Sequence, residues 1–339
     1  MNEDLQTVSG SSREPGRTRS RTAAVKTWLG AAALVLIACI PVLTLIAPQT
    51  LVRVVMNTPL REVLQLTLSS NPLCPTLEAW MGLRQARLVD NVSGRLTGKV
   101  RLVQRDEQGV ELWETPQGKW WFPAGTEEKY VRFAAAQYEL RAYPGLEIRK
   151  GDVVLDGGGF VGDWAHWALQ AGAARVIIFE PAARQQECIR RNLAKPLAEG
   201  RAVLIPKGVW DKDEVLFLSY WEDNPAGDSV VVARSPKGEQ IELTTIDRIV
   251  EELGLDRVDV IKLDVEGAET KAILGARKTL QRFQPRLAVA TEHTADRLQN
   301  NRNVIEAVAG VAPAYRRRCG DCVTIAGKIV PETLYFDPH

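Results

Sequence analysis

Two rhythms of apolar and polar residues divide the chain. From Lys150 onward, short apolar runs recur: DVVLD at 152–156, RVIIFE at 175–180, RAVLIPK at 201–207, VDVIKLD at 258–264 and RLAVATE at 286–292. Between them lie stretches of helical period, such as AARQQECIRRNLA and IDRIVEELG. Strands that alternate with helices predict an α/β domain with a parallel sheet covered on both faces. Two further strands are predicted around EVLFLSY and EQIELTT, and a closing strand pair includes VTIAGKIV.

Upstream the rhythm changes. Residues 95 to 123 alternate apolar and polar, with turn signals at Gln108-Gly109 and Gln117-Gly118, which predicts a small β-meander. A helix follows over 127–148 and ends in a turn at Pro144-Gly145. Residues 53 to about 90 show helical period broken by Pro59, Pro72 and Pro75, as a helical linker would. Residues 27–52 carry no charge, enough to cross a bilayer as a helix kinked at Pro41. The first 26 residues, rich in Ser, Thr and Arg, read as a disordered basic tail. The expected organisation is therefore a tail (1–26), a transmembrane anchor (27–52), a helical linker with the meander (53–148) and a main domain (149–336).

Composition changes this picture little. The 339 residues are 45% hydrophobic and 25% charged, with a net charge of +1. Such a balance gives no general attraction to nucleic acid, and no basic patch interleaved with aromatics appears. The five cysteines are scattered, so no disulfide framework is expected, and Cys319-Gly320-Asp321-Cys322 reads as a hairpin turn. Neither this CxxC nor the three histidines supply metal-ligand spacing, so no metal ion is expected. Arg13, Arg17, Arg19, Arg21 and Lys26 precede the apolar segment, while only Arg53 and Arg61 follow closely. The positive-inside rule then places the N-terminus in the cytoplasm and the main domain across the membrane.

The candidate chemistry lies just after the strands, where ligands gather in open α/β sheets. Asp156-Gly157-Gly158-Gly159-Phe160-Val161-Gly162 joins the first strand to its helix. Gly157, Gly159 and Gly162 satisfy GxGxxG, and Glu180 stands 18 residues past Gly162, where a carboxylate holds ribose hydroxyls. An NAD-dependent oxidoreductase fits that far. Asp156 argues against it, because a pyrophosphate at this helix start would meet a carboxylate. S-adenosyl-L-methionine carries an ammonium and a sulfonium instead, which an acid favours. Trp210, in GVWDKDE, is a candidate for stacking on adenine. In VIKLDVEGAE, Asp264, Glu266 and Glu269 crowd into six residues at the same edge, and His293 follows the next strand. Asp264 and then Glu266 are the candidate general bases for a hydroxyl acceptor, with His293 beside them as base or substrate ligand. Orienting the donor's amino group is an equal alternative for Asp264. Glu269 reads as a helix N-terminal charge.

VVLDGGGFVG, IFEP, TTIDRI and IKLDVEGAE, in this order, resemble the FkbM-type methyltransferases. The resemblance covers about Lys150 to Glu292, and DVEGAE is its specific part. It implies a class I methyltransferase (Rossmann-like) fold with a seven-stranded, mostly parallel sheet. It also implies methyl transfer from S-adenosyl-L-methionine to hydroxyls of sugars or polyketide-type products. The donor would be held by Asp156, Gly157, Gly158, Gly159, Phe160, Gly162, Glu180 and Asp264, with Trp210 on the adenine. The family commonly reads Asp-Val-Gly-Ala-Asn where this chain has Asp156-Gly-Gly-Gly-Phe160. A catalytically inactive, membrane-tethered binding domain of the same fold is the other alternative. Expected partners are a glycan, a lipid-linked sugar or a small-molecule hydroxyl acceptor, and a membrane through 27–52, with no nucleic acid. Supply of the donor favours the cytoplasmic face, against the charge rule.

Overall fold

The computed structural model describes Leu66, Leu68 and residues 69–338. The expected tail and anchor, and the linker up to Gln65, lie outside the described residues. Among the described residues no helix is long and apolar enough to cross a membrane. Residues 69–338 belong to one compact unit.

Its first helix, α1 (Thr76–Arg95), has no side-chain cap and starts behind Pro75, whose fixed φ suits a helix entrance. The meander follows as β1 (Arg101–Arg105), β2 (Val110–Thr115) and β3 (Gly118–Pro123), all antiparallel. Its turns fall where Gly109 and Gly118 take positive φ. Helix α2 (Glu128–Leu140) comes next. The main domain then runs β4 (Val153–Gly157), α3 (Asp163–Ala171), β5 (Arg175–Phe179), α4 (Ala183–Asn192), α5 (Ala194–Ala198) and β6 (Ala202–Ile205). It continues with β7 (Gly208–Val209), β8 (Glu214–Ser219), β9 (Gly238–Thr244), α6 (Ile246–Glu252), β10 (Val260–Leu263), α7 (Glu269–Leu274), α8 (Arg277–Phe283) and β11 (Arg286–Ala290). Helix α9 (Arg297–Val311) precedes β12 (Arg316–Cys319), β13 (Cys322–Ile325), β14 (Lys328–Pro331) and β15 (Thr333–Asp337).

Seven strands form the main sheet in the order β12-β15-β11-β10-β4-β5-β6. The five from β11 to β6 are parallel, and β15 lies antiparallel to both β11 and β12. This is the expected seven-stranded, mostly parallel sheet of a class I methyltransferase. The period of two sends Ile177 and Phe179 to one face of β5 and Val176 and Ile178 to the other, and all four are buried. Each such side chain contributes about 1.5–3 kcal/mol. The strands expected at EVLFLSY and EQIELTT are β8 and β9, but they leave this sheet and build a small one with β7.

The meander roofs the first βα turn. Trp113, Trp120 and Phe122 share a core with Val161 and Cys188. Asn192 clamps the roof: its Nδ2 donates to the carbonyls of Trp121 and Val161, and its Oδ1 accepts from the Trp121 amide.

Two expectations about cysteine are corrected. Cys74 is bonded to Cys319 across 245 residues. The 319–322 segment is no hairpin, because β12 pairs with β15 while β13 pairs with β14. The chain passes here from one sheet to another. Gly320 fits because a Cβ would stand 2.6 Å from the Tyr335 ring.

Candidate active site

Strands β5, β4, β10 and β11 are neighbours, so the loops leaving their C-terminal edges meet. They open into a cavity of about 1140 Å³ lined by Gly158, Phe160, Glu180, Asp264, Glu266 and His293, among others. One face of α2 (Lys129, Tyr130, Phe133, Gln137) walls another part of it.

The glycine turn forms one side. Gly158 has φ +81°, and a Cβ there would lie 1.8 Å from the Asp264 carbonyl oxygen. Only glycine lets the β4 and β10 loops approach so closely. Gly158 and Gly159 both donate to the Phe179 carbonyl, Gly162 donates to that of Gly159, and Phe160 donates to Glu180 Oε2 at 2.8 Å. These four amides are therefore not free to cradle a pyrophosphate. Phe160 takes φ +47°, and its ring packs on Phe122 with centroids 6.0 Å apart, under the meander roof. Glu180 is buried, and its Oε1 accepts from the Ala182 amide. Burial pushes its carboxyl up to about 8, against the pull of the Ala182 and Phe160 amides. Asp163, at the start of α3, also lines the cavity and is raised to about 6, mainly by burial.

Asp156, expected among the donor-binding residues, does not line the cavity. It is fully buried beneath the turn in an ion pair with Lys262, Nζ to Oδ1 3.0 Å. Lys262 also donates to the Gly158 carbonyl at 2.6 Å. Burial favours the neutral amine, but the Asp156 and Asp264 carboxylates outweigh it and hold Lys262 above the ordinary lysine range. Trp210 is likewise absent from the cavity wall. It packs with Leu218, Ile241, Leu243 and Ala268, under the ammonium of Lys271. Gly157 and Gly162 shape the turn without lining the cavity.

The acid-rich loop after β10 forms the other side. Tyr143 donates its hydroxyl to Asp264 Oδ2 at 2.5 Å, and His293 Nε2 lies 3.2 Å from Asp264 Oδ1 and 3.3 Å from Glu266 Oε1. His293 Nδ1 meets Glu269 Oε1 at 3.0 Å. Glu269 is fully buried and also accepts from the amides of Val265 and Gly267, so it braces the loop besides opening a helix. Burial alone would strip His293 of its proton, but the Glu269 hydrogen bond and the Glu266 and Asp264 charges raise it well above the usual imidazole range. Burial raises Asp264 too, yet Lys262, His293 and the Tyr143 hydroxyl bring it below the usual carboxylate value. Burial prevails for Glu266, which stands at about 7, and for Glu292, at about 8. Arg234 reaches Glu266 Oε2 at 3.4 Å, and Ser229 donates to the Glu266 carbonyl.

Three non-glycine residues of the cavity wall, Tyr143, Phe160 and Glu266, have positive φ. Such strain gathers where surrounding structure holds a site in place. The sequence pattern missed Lys262, hidden in an apolar strand, and Tyr143, which lies 121 residues before its partner.

Residues 154–320 match the model of the FkbM methyltransferase domain. No curated protein matches the chain. Among solved structures, the chain is similar to a methyltransferase FkbM from Methylobacillus flagellatus KT, at 16% identity and a TM-score of 0.40, over 75% of this chain and 59% of that one. It thus spans less than two thirds of that relative's length. It is also similar to an rRNA methylase from Streptococcus thermophilus (12% identity, TM-score 0.35, 57% of this chain and 90% of that one). A third is fibrillarin from Aeropyrum pernix, solved with natively bound S-adenosyl-L-methionine (12% identity, TM-score 0.35, 70% and 98%).

Proposed function

We propose, for a chain that belongs to the FkbM-type S-adenosyl-L-methionine-dependent methyltransferases through residues 154–320, that it methylates a hydroxyl of a sugar, glycan or related natural product. The observation that carries this reading is the placement of Asp264, Glu266 and His293 in the same cavity as the glycine turn. One wall suits a cationic, phosphate-free donor; the other suits a hydroxyl that must lose a proton.

The donor's fit rests on this chain's own features. The glycine turn has no Cβ to obstruct an approach at Gly158, its amides are engaged, and Glu180 and Asp163 present carboxyls to the cavity. Glu180 would hold the ribose hydroxyls and Asp163 would face the cationic end. Bound there, S-adenosyl-L-methionine supplies a methyl group whose carbon–sulfur bond breaks as the acceptor oxygen bonds to carbon and one proton departs.

The acceptor side must orient that oxygen and manage its proton. Asp264 is immobilised from two directions, by Tyr143 and His293, and stays ionised, so it accepts and aims the hydroxyl. Glu266, near 7, is better matched than Asp264 to the proton's departure. The expected roles of the two acids are in this respect exchanged.

Tritiated-methyl transfer to a panel of mono- and oligosaccharides tests the proposal. Glu266→Gln should retain S-adenosylhomocysteine binding and lose about 10²-fold or more in turnover. Transfer to protein or RNA alone would overturn the acceptor class. Tethering through the uncharged segment 27–52 would direct the enzyme to a lipid-linked or surface glycan. Donor supply favours the cytoplasmic face, whereas the Cys74–Cys319 bond and the charge rule favour the opposite side; the oxidation state of that pair in cells decides between them.

A further inference from the structure

The cluster at the ends of β10 and β11 gathers four carboxyl groups around one imidazole. Asp264, Glu266, Glu269 and Glu292 all place an oxygen within 3.9 Å of the His293 ring nitrogens. Beside them stand the His293 ring itself, Arg234, on Glu266, and Lys262, which is 4.0 Å from Asp264 and already paired with Asp156. Carboxyl groups gathered this densely must share either protons or a cation.

Geometry offers one place for such a cation. Asp264 Oδ1 and Glu266 Oε1 flank the same atom, His293 Nε2, at 3.2 and 3.3 Å. One ligand atom from each residue lies within 4.8 Å of the other two. Around an octahedral divalent ion with bonds of about 2.1 Å, adjacent ligand atoms stand roughly 3 Å apart. Two of the three donor pairs have that spacing and the third lies within 4.8 Å, close enough for all three to share one ion, and all three line the cavity.

A second observation comes from behind the histidine. Glu269 is wholly buried, with one oxygen on His293 Nδ1 and the other, Oε2, in no hydrogen bond. Holding Nδ1 this way leaves Nε2 as the imidazole's outward atom, the usual support of a metal-bound histidine. A carboxylate kept in the interior with one oxygen unsatisfied is costly unless excess positive charge lies close by.

We propose that Asp264, Glu266 and His293 bind a divalent cation, with Glu269 as its supporting carboxylate. Two carboxylates and one imidazole suit manganese or a neighbouring first-row ion better than calcium. Its open positions face the cavity and would take an acceptor presenting two adjacent oxygens, such as a vicinal diol of a sugar. A coordinated hydroxyl also loses its proton more readily. This role rests on the methyltransferase reading; the existence of the site does not.

The test is titration of the metal-stripped full chain with Mn²⁺, read by loss of the free-ion electron paramagnetic resonance signal, with neither donor nor acceptor present. One saturable site is expected. Glu269→Gln, which leaves all three ligands in place, should weaken it about 10–100-fold. Asp264→Asn and Glu266→Gln should weaken it further, while the melting curve of each variant confirms folding. Absence of uptake by the folded wild type overturns the proposal, as does uptake that these variants leave unchanged. Because no methyl transfer is measured, failure to find an acceptor leaves this result standing. Transfer that persists undiminished in a protein taking up no Mn²⁺ would keep the enzyme and remove the metal site.

Discussion

Lys262→Met removes one ammonium and keeps the volume of the side chain that carries it. In the native protein Nζ lies 3.0 Å from Asp156 Oδ1 and donates to the Gly158 carbonyl, with 5% of the lysine side chain and none of the aspartate exposed. Attraction between unit charges at that distance is about 5 kcal/mol at an effective dielectric of about 20. Desolvation of both groups offsets much of this. What the substitution leaves is a carboxylate in the interior without a partner, a change that costs about 3–5 kcal/mol. Guanidinium unfolding of Lys262→Met, Asp156→Asn and the double variant measures it. Each single change should lose stability, and the double should regain most of the deficit, because removing both charges leaves nothing stranded. The pH dependence carries a sign. Burial raises Asp156 above its unfolded value of 3.8. An acid raised on folding contributes stability that is fully present below the unfolded value and is lost as pH rises through the folded one, so the Lys262→Met deficit should shrink toward acid. A loss under about 1 kcal/mol, or a double variant that merely sums the singles, would refute the pairing. Lys262 would then act as a cation of the cavity and not as the fastening under the glycine turn.

Three further expectations follow from the same geometry. Gly158→Ala places a methyl group against the Asp264 carbonyl at a φ of +81°; it should abolish S-adenosylhomocysteine binding by calorimetry, and unchanged affinity would show that the β4 and β10 loops separate freely. Glu180, raised to about 8, must ionise to accept two ribose hydroxyls, so affinity for S-adenosylhomocysteine should rise about tenfold between roughly pH 7 and 9; Glu180→Gln should flatten the profile, and a flat wild-type curve would remove Glu180 from the ribose. Cys74→Ser opens the bond that closes 245 residues of chain; the loss should be about 2–5 kcal/mol in thermal unfolding, with the same loss on adding reductant to the wild type, and no change in either would mean the bond stabilises nothing.

Much of the fold was legible because each strand of the parallel sheet is an apolar run, a pattern that survives without any knowledge of partners. The meander was legible through its two glycine turns. Destination was not: β8 and β9 have the composition of sheet members, yet only pairing tells that they form a separate layer with β7. The cysteine bond was invisible for the same reason, since nothing local to Cys74 points to Cys319. In the site, the sequence located the acids by their strand ends but could not assign orientation. Asp156 and Asp264 both end their strand runs, one 0% and the other 32% exposed on the side chain. Lys262, which strand periodicity does not single out, reaches under the turn and pairs with Asp156 in the interior.

The same reasoning explains why three acids in VIKLDVEGAE tolerate one another. Glu266 and Gly267 both take positive φ, so the loop turns sharply between Asp264 and Glu269. Asp264 goes to Tyr143 and Lys262, Glu266 to Arg234, and Glu269 turns inward onto two backbone amides and His293. Each acid therefore has a different partner, and His293 touches all three. A substitution at His293 should accordingly disturb the whole loop, whereas one at Glu266 should leave Glu269 and its amides in place. Amide hydrogen exchange at Val265 and Gly267 distinguishes the two: faster exchange is expected in His293→Ala and unchanged exchange in Glu266→Gln. Equal exchange in both variants would show that Glu269 holds the loop without the imidazole, and that the three acids are independent.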